Sequence, residues 1–168
     1  MDATSIKRWV REEILRSGFN GACGVASFSD TYNDLMPVQR KEVEKTCGDN
    51  MKAFLDKGSI ISMAVFHTER AVKSINATRD GKVDYEKWDL YADEYDIVNN
   101  LLNDVCARLI SLLGGVPLKA TLELGSRVHL VEEYYPYAKM SHIVVAEHAG
   151  LGIRGKSELI VTKQNGSA

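Results

Sequence analysis

Residues 146–162 read Ala-Glu-His-Ala-Gly-Leu-Gly-Ile-Arg-Gly-Lys-Ser-Glu-Leu-Ile-Val-Thr, and this stretch decides which fold the chain can form. Its glycines satisfy the dinucleotide pattern G-x-G-x-x-G, and residues 150–157 also satisfy the phosphate-loop pattern G-x-x-x-x-G-K-S. A functional phosphate loop follows a buried strand and opens a helix, so that backbone N–H groups at the helix N-terminus meet the phosphate. Here the order is reversed, because an apolar, helix-compatible block precedes the glycines and a β-branched run follows them. The stretch therefore predicts a helix, a glycine turn and a strand, and not a nucleotide-binding loop.

The composition of the chain is typical of a globular domain. Of its 168 residues, 45% are hydrophobic and 26% are charged. A net charge of −2 provides no broad basic surface, so nucleic acid is not an expected partner. The sequence contains neither an apolar run of the roughly 18–20 residues that span a bilayer nor the apolar core of a signal peptide near its start. We therefore expect a single cytoplasmic domain over residues 1–168, with no membrane segment.

The three cysteines, Cys23, Cys47 and Cys106, lie far apart in the sequence and form no C-x-x-C pair. Their spacing supports neither a disulfide framework nor a cysteine-ligated metal. We expect reduced, mostly buried thiols and no metal site in this chain.

The first half of the chain predicts helices alternating with strands. Helices are expected at residues 5–16, 37–45 and 50–57, and strands at residues 18–26 and 59–67. The glycine-rich first strand either packs tightly or admits the close approach of a ligand or another backbone. The second strand carries apolar residues on both faces, which predicts a central position in the sheet. The histidine at its end either faces a site or is simply partly exposed.

A long helix is expected from Asp84 to about Leu113, with a core seam at Tyr91, Tyr95, Val98, Leu102, Val105, Leu109 and Leu112. Residues 68–83 before it are expected to form a loop that turns at Asp80-Gly81. An alternating strand follows at residues 116–124. The predicted fold class is therefore α/β (α+β), a sheet flanked by helices.

Residues 132–137, Glu-Glu-Tyr-Tyr-Pro-Tyr, form the densest local group of acids and phenols. Both side-chain types can transfer protons when burial adjusts their pKa. An exposed aromatic loop or a protein interface explains the same residues equally well.

Residues 146–160, followed by Gly166-Ser167, resemble the signature of the epoxyqueuosine reductase family and its uncharacterised iron–sulfur relatives. That signature reads roughly A-x-x-A-G-L-G-W-x-G-K-[NS]-x-L-[LI]-x, with G-S a few residues later. The matching residues are Ala146, Ala149, Gly150, Leu151, Gly152, Gly155, Lys156, Ser157, Leu159 and Ile160. The resemblance implies a cobalamin-binding domain with a nitroreductase-like fold, a mixed or antiparallel sheet flanked by helices. In that family a corrinoid lies across a sheet and accepts electrons from iron–sulfur clusters.

The chain departs from the family in several places. The family carries a ferredoxin-like module with C-x-x-C-x-x-C-x-x-x-C-P runs, and this sequence has no such run, so we expect no iron–sulfur cluster here. The family's D-[ST]-A-P segment, the presumed source of a proton, has no clear equivalent. Glu133, Tyr137 and His142 are our candidates for that catalytic role. Ile153 replaces the tryptophan of the signature, and Arg154 follows it.

The glycine motif itself is the candidate binding element for a cofactor, through Gly150, Leu151, Gly152, Arg154, Gly155, Lys156 and Ser157. Glycines let main-chain N–H groups approach a propionamide or a phosphate, and the cations can neutralise an anion. A helix-to-strand crossover with solvated cations is the alternative interpretation of the same residues.

Two hypotheses of function result. The first is a corrinoid-binding reductase domain, with flavin as the alternative cofactor, that needs a separate iron–sulfur or ferredoxin-type electron donor. The second is a non-catalytic cofactor carrier or interaction domain, alone or as a homodimer, that has lost the iron–sulfur module. An excised fragment of a longer protein would also explain why the module is missing.

Overall fold

The computed structural model describes residues 1–118, 141–155, 160–162 and 166–167. Its elements in chain order are α1 (Ala3–Arg16), β1 (Asn20–Ser27), α2 (Phe28–Asn33), α3 (Pro37–Cys47), α4 (Met51–Lys57), β2 (Ser59–Phe66), α5 (Glu69–Ser74), β3 (Thr78–Arg79), β4 (Lys82–Val83), α6 (Tyr85–Leu113), α7 (His142–His148), β5 (Ile153–Arg154), β6 (Ile160–Thr162) and β7 (Gly166–Ser167). A short 3-10 turn, Gly48–Asn50, joins α3 to α4. The class is mixed α/β, as the sequence predicts, and the described residues are mainly helical with small sheets.

Strand pairing within the described residues gives three small sheets. β1 pairs with β2, β3 with β4, and β6 lies between β5 and β7. The pairs β3–β4, β5–β6 and β6–β7 are antiparallel. The chain divides into two compact units, one of Met1–Ala22 and Met63–Leu113, the other of Cys23–Ser62 and Gly114–Ala168.

In the first unit, α1 packs against α6 through a buried apolar face and a buried carboxylate. Ile6, Val10 and Ile14 supply the apolar face. Glu13 is only 5% exposed, and its carboxylate accepts hydrogen bonds from the guanidinium groups of Arg16 and Arg108. A buried carboxylate is tolerated when it is both paired and hydrogen-bonded. Glu13 therefore fixes the position of α1 along α6.

The long helix α6 lies within one residue of the predicted range, but its buried seam differs from the prediction. The buried residues are Val98, Leu101, Val105 and Leu109, whereas Tyr95 is 40% exposed and Leu112 is 57% exposed. The predicted spacing averages 3.5 residues, and a straight helix drifts by about 20° per heptad away from such a repeat. Over three heptads this drift amounts to about 60°, so a seam with that spacing does not stay on the buried side of the helix.

The prediction of a loop over residues 68–83 is wrong for most of its length. Residues Glu69–Ser74 form α5, because the Thr68 hydroxyl caps the helix by accepting a hydrogen bond from the Ala71 N–H at 3.2 Å. The strands β3 and β4 then form a tight hairpin. Asp80 and Gly81 at its turn have φ values of 54° and 74°, as expected for a type I′ turn. The predicted turn at Asp80-Gly81 is confirmed.

In the second unit, helices α2, α3, α4 and α7 enclose an apolar core. Its buried residues are Phe28, Leu35, Val43, Cys47, Ile60, Val144 and Val145. The sequence explains where these helices begin, because the Ser27 hydroxyl caps α2 and Pro37 occupies the first position of α3. The Phe28 N–H donates to the Gly58 carbonyl at 3.0 Å, which joins the end of β1 to the start of β2.

The predicted central position of β2 is not seen in the described part of the chain, where β2 pairs with β1 alone and buries only Ile60. Of the strand predicted at residues 116–124, residues 116–118 are not in a strand, and the remainder lies outside the described residues.

Cys23 and Cys47 are buried, Cys106 is half-buried, and none of the three forms a disulfide, as the sequence predicts. Burial raises the pKa of the Cys47 and Cys106 thiols, which keeps them protonated and unreactive near neutral pH. Among the helices of the described ranges, none is both long and apolar enough to span a membrane.

Gly24 is the point where β1 meets the end of α7. A Cβ atom placed on Gly24 would lie 2.2 Å from the Ala149 carbonyl oxygen and 2.7 Å from the Ala149 Cβ. Ala149 itself is buried. The glycine-rich segment is therefore a tightly packed strand, as the sequence favours, and what approaches it closely at Gly24 is another backbone.

We expect Gly24→Ala to lower the free energy of unfolding by about 3 kcal/mol, because the added methyl meets backbone that cannot move aside. Gly18→Ala is the control. Gly18 has a φ of 84° and open space around it, so that variant should lose only about 1 kcal/mol from backbone strain. Urea unfolding of both variants measures the difference, and equal losses would contradict the close-packing argument.

Candidate functional site

The first part of the glycine motif is the C-terminal cap of α7. Gly150 has a φ of 71°, in the left-handed region. Its N–H donates to the Glu147 carbonyl at 3.0 Å, and the Leu151 N–H donates to the Ala146 carbonyl at 2.9 Å. With Ala149 as the cap residue, these two bonds form a Schellman motif. The predicted helix, glycine turn and strand are all present.

This geometry explains why the motif is not a phosphate loop. The N–H groups of Gly150 and Leu151 already bond to helix carbonyls, so they are not available to a ligand. The turn also lies at the C-terminus of α7, where the helix dipole places partial negative charge and disfavours an anion.

The second part of the motif forms the short strand β5 and packs against β6. A Cβ atom on Gly152 would lie 2.6 Å from both the Ile160 Cγ2 and the Val161 carbonyl oxygen, so only glycine fits there. The Arg154 N–H donates to the Glu147 Oε1 at 3.2 Å. The Arg154 guanidinium Nε lies 4.0 Å from the Glu147 Oε2, and this side chain is 46% exposed.

The residues of the motif differ in whether they could hold a cofactor. In the described part of the motif, the N–H groups of Gly150, Leu151 and Arg154 already donate to acceptors within the protein, so they do not fit the role of cofactor ligands. The half-exposed guanidinium of Arg154 does fit an amide oxygen, a carboxylate or a phosphate. Gly155 is half-buried beside it. Lys156 and Ser157 lie outside the described residues.

The candidate proton donors are not brought together with the glycine turn. His142 is exposed and opens α7, while Gly150 follows the other end of this helix. The two residues are eight positions apart, which at about 1.5 Å per residue corresponds to roughly 12 Å along the helix axis. Glu133 and Tyr137 lie outside the described residues.

The best-formed group of titratable side chains is one that the sequence did not identify. His67, directly after β2, lies with its Nδ1 3.0 Å from the Oε1 of Glu94 on α6. The Thr68 N–H donates to the same oxygen at 2.7 Å, and the Thr68 hydroxyl donates to the Glu94 Oε2 at 2.5 Å. The side chains of His67 and Glu94 are 21% and 14% exposed. We refer to His67, Thr68 and Glu94 as the histidine–glutamate cluster.

The protonation of this cluster follows from its contacts. Burial by itself raises the pKa of Glu94, but the hydrogen bonds from Thr68 and His67 outweigh it and hold that pKa below its ordinary value. With Glu94 ionised, its Oε1 accepts a hydrogen bond from the Nδ1–H of His67, which fixes the orientation of the imidazole ring.

Aromatic rings enclose the imidazole of His67. The ring of Tyr91 lies 4.8 Å from it, tilted by 43°, and the ring of Tyr95 lies 6.4 Å away, stacked at 13°. Trp88 meets Tyr91 edge-on at 6.0 Å. The sequence does not reveal this group directly, because His67 and Glu94 are 27 positions apart. The local pattern that could have indicated it is the pair His67-Thr68 at the start of a helix, together with a later carboxylate, Glu94, that lies between two tyrosines.

A second histidine pair lies in the other unit. The His148 Nε2, on α7, is 2.7 Å from the Oδ2 of Asp34, and this contact links α7 to the end of α2. Nearby in sequence, the Tyr32 hydroxyl donates to Glu44, and the Arg40 guanidinium lies 5.5 Å over the Tyr32 ring. The hydrogen bond to Glu44 raises the pKa of Tyr32. These contacts stabilise the packing of α2, α3 and α7.

Comparisons with known proteins give no independent information on this site. No family model, curated protein or solved structure matches this chain. Over the described part of the sequence, there is also no group of three or more His, Cys, Asp or Glu side chains arranged to hold a metal ion.

We expect Gly150→Ala to lower the free energy of unfolding by about 1 kcal/mol, because a Cβ disfavours the left-handed conformation. Gly150→Asn should lose less, since asparagine tolerates that conformation.

Thermal unfolding in the presence of Mg-ATP should match unfolding without it. Stabilisation by Mg-ATP that disappears in Lys156→Ala would contradict the helix-cap interpretation.

We expect Glu94→Gln to cost about 1–3 kcal/mol of stability at pH 7, the usual range for hydrogen bonds to a charged group. Because the pKa of Glu94 is lowered from its ordinary value of 4.5, its contribution is complete above that pH. The contribution is lost as the pH falls through the lower, folded-state pKa.

Urea unfolding as a function of pH tests this, with the exposed neighbour Asp93→Asn as the charge-matched control. The gap between wild type and Glu94→Gln should close in acid, while Asp93→Asn should stay near the wild type throughout. A gap independent of pH would contradict the assignment.

Proposed function

We propose that this chain is a corrinoid-binding domain of the epoxyqueuosine reductase type, with a nitroreductase-like fold. It takes part in reduction when a separate iron–sulfur or ferredoxin-type protein supplies electrons. Flavin is the alternative cofactor. The bound cofactor supplies the redox chemistry, while the protein supplies its placement.

The observation that supports this proposal is that the small residues of the signature stand where the fold requires them to be small. Ala149 lies directly under Gly24, Gly150 adopts a left-handed conformation, and Gly152 touches β6. These positions constrain the backbone of the second unit, so the small residues that match the signature have a structural role in this chain. Together with the match in sequence, this role supports extending the family's cofactor class to this chain.

Within this proposal, Arg154 is the described residue that contacts the cofactor. Its side chain is half-exposed on β5, next to Gly155, and its partner Glu147 is 4.0 Å away, a distance that leaves the guanidinium able to bind a further acceptor. Lys156 and Ser157 would extend the same contact. His142, Tyr137 and Glu133 remain the candidate proton donors.

Titration of the protein into cobalamin, followed by visible absorption, tests the proposal. Binding should shift the corrinoid spectrum as the lower axial base is displaced, and Arg154→Ala should weaken binding about tenfold, the equivalent of one charge-assisted hydrogen bond. Arg11→Ala, which removes an exposed cation from α1, is the matched control and should bind like the wild type. The absence of a spectral change with both cobalamin and flavin would rule out the cofactor proposal.

A second candidate function is a non-catalytic cofactor carrier or interaction domain, alone or as a homodimer. The internal use of the Gly150 and Leu151 N–H groups favours it, because these groups then serve folding and not binding. Supplying reduced ferredoxin to the cobalamin-loaded protein separates the two candidates. Catalytic turnover with reduced ferredoxin favours the reductase domain, whereas binding of cobalamin without any turnover favours the carrier.

A further inference from the structure

The first half of α6 exposes large aromatic side chains that belong to an otherwise anchored row of rings. Trp88 is 42% exposed and Tyr95 is 40% exposed. Both are held in place from below, Trp88 by its edge-on contact with Tyr91 and Tyr95 by stacking on His67. Exposed rings that are already ordered lose little conformational entropy on binding, which favours them as contact residues.

Ala92 lies at the centre of this exposed face. On the surface of a helix, the nearest neighbours of a residue are those three and four positions away. The neighbours of Ala92 are Trp88 and Asp89 on one side and Tyr95 and Asp96 on the other. Ala92 and these four residues are all exposed. Because the Ala92 side chain is only a methyl group between two larger rings and two carboxylates, we expect a shallow depression here with an apolar floor and an acidic edge. We refer to these five residues as the Ala92 face.

The charge of this region determines what it can bind. Residues 85–96 contain five acids and one cation, Lys87. Of the acids, Glu86 pairs with Arg79 and Glu94 with His67, whereas Asp89, Asp93 and Asp96 are exposed on the helix. Lys87 already lies 3.8 Å from Asp84. Such a surface repels phosphates and carboxylates. It attracts a cation, which can stack on the rings while it bonds to the carboxylates.

The shape of the face distinguishes a protein segment from a small free cation. Trp88 and Tyr95 are seven positions apart, which spans roughly 10 Å of helix, the length of about three residues of extended chain. The face is an open surface of a helix and does not enclose a small molecule. An arginine is the best match, because its aliphatic stem can cover the Ala92 methyl while its planar guanidinium stacks on a ring and binds a carboxylate.

We propose that the Ala92 face is a docking site for an arginine-containing basic segment of a partner protein. The partner's guanidinium lies between Trp88 and Tyr95 and bonds to Asp89 or Asp96. This site belongs to the first unit and does not depend on the cofactor proposal.

A hexa-arginine peptide is the probe, and Trp88 is the reporter. The chain has two tryptophans, so a Trp9→Phe background leaves the fluorescence of Trp88 as the only signal. Titration in low salt should change this fluorescence saturably, and added salt should weaken the binding. Circular dichroism of each variant verifies that it is folded.

Paired variants separate a specific face from net charge. Asp89→Asn with Asp96→Asn should weaken binding about tenfold, the loss of about 1.4 kcal/mol. Asp93→Asn with Asp104→Asn removes the same charge from other exposed positions of α6 and should leave the affinity within about twofold of the parent. Ala92→Leu fills the depression without disturbing the helix and should also weaken binding.

Three results would overturn the proposal. The first is that both double variants weaken hexa-arginine binding equally, and the second is that hexaglutamate binds as tightly as hexa-arginine. The third is that free arginine amide saturates the site at the same concentration as the peptide. The last result would identify a site for a small cation. Self-association that Ala92→Leu abolishes, seen in sedimentation, would instead assign the face to a second copy of this chain.

Discussion

The second unit depends on one constraint, the contact between the backbone of β1 at Gly24 and the C-terminus of α7 at Ala149. At 2.2 Å from the carbonyl oxygen, no side chain can occupy the position of a Cβ on Gly24. This approach fixes where α7 ends, and the left-handed Gly150 then turns the chain into β5. Gly152 allows β5 to meet β6 in turn. Ala149 and Gly152 thus make close backbone contacts, and Gly150 between them supplies the left-handed turn.

The packing of the first unit depends on buried charged side chains and not on small residues. Glu13 joins α1 to α6 through Arg16 and Arg108, and Glu94 joins the end of β2 to α6 through His67 and Thr68. Both carboxylates are largely buried, so each is stable only while its hydrogen-bonding partners remain in place. The same helix presents its aromatic and acidic side chains to solvent on another face. One long helix therefore serves both as the core element of the unit and as its candidate binding surface.

Much of the fold was predictable because local rules act over short distances. Pro37, Gly58 and the Asp80-Gly81 turn mark boundaries that the structure retains. The errors arose where a local pattern was extended too far, as in the seam of α6, or where a single hydroxyl at Thr68 starts a helix within a polar stretch. For the candidate site, the glycine turn was predictable, whereas the histidine–glutamate cluster was not, since its residues are distant in sequence.

The sequence by itself determined the helices α1, α3, α4 and α6, the strands β1 and β2, and the helix-to-strand turn at the glycine motif, because hydrophobic periodicity and glycine conformation are properties of neighbouring residues. The tertiary structure alone decided that Gly24 faces Ala149, that His67 pairs with Glu94, and that the N–H groups of Gly150 and Leu151 bond within the protein. These contacts depend on which segments pack together, and a linear pattern does not encode the position of a residue's partner.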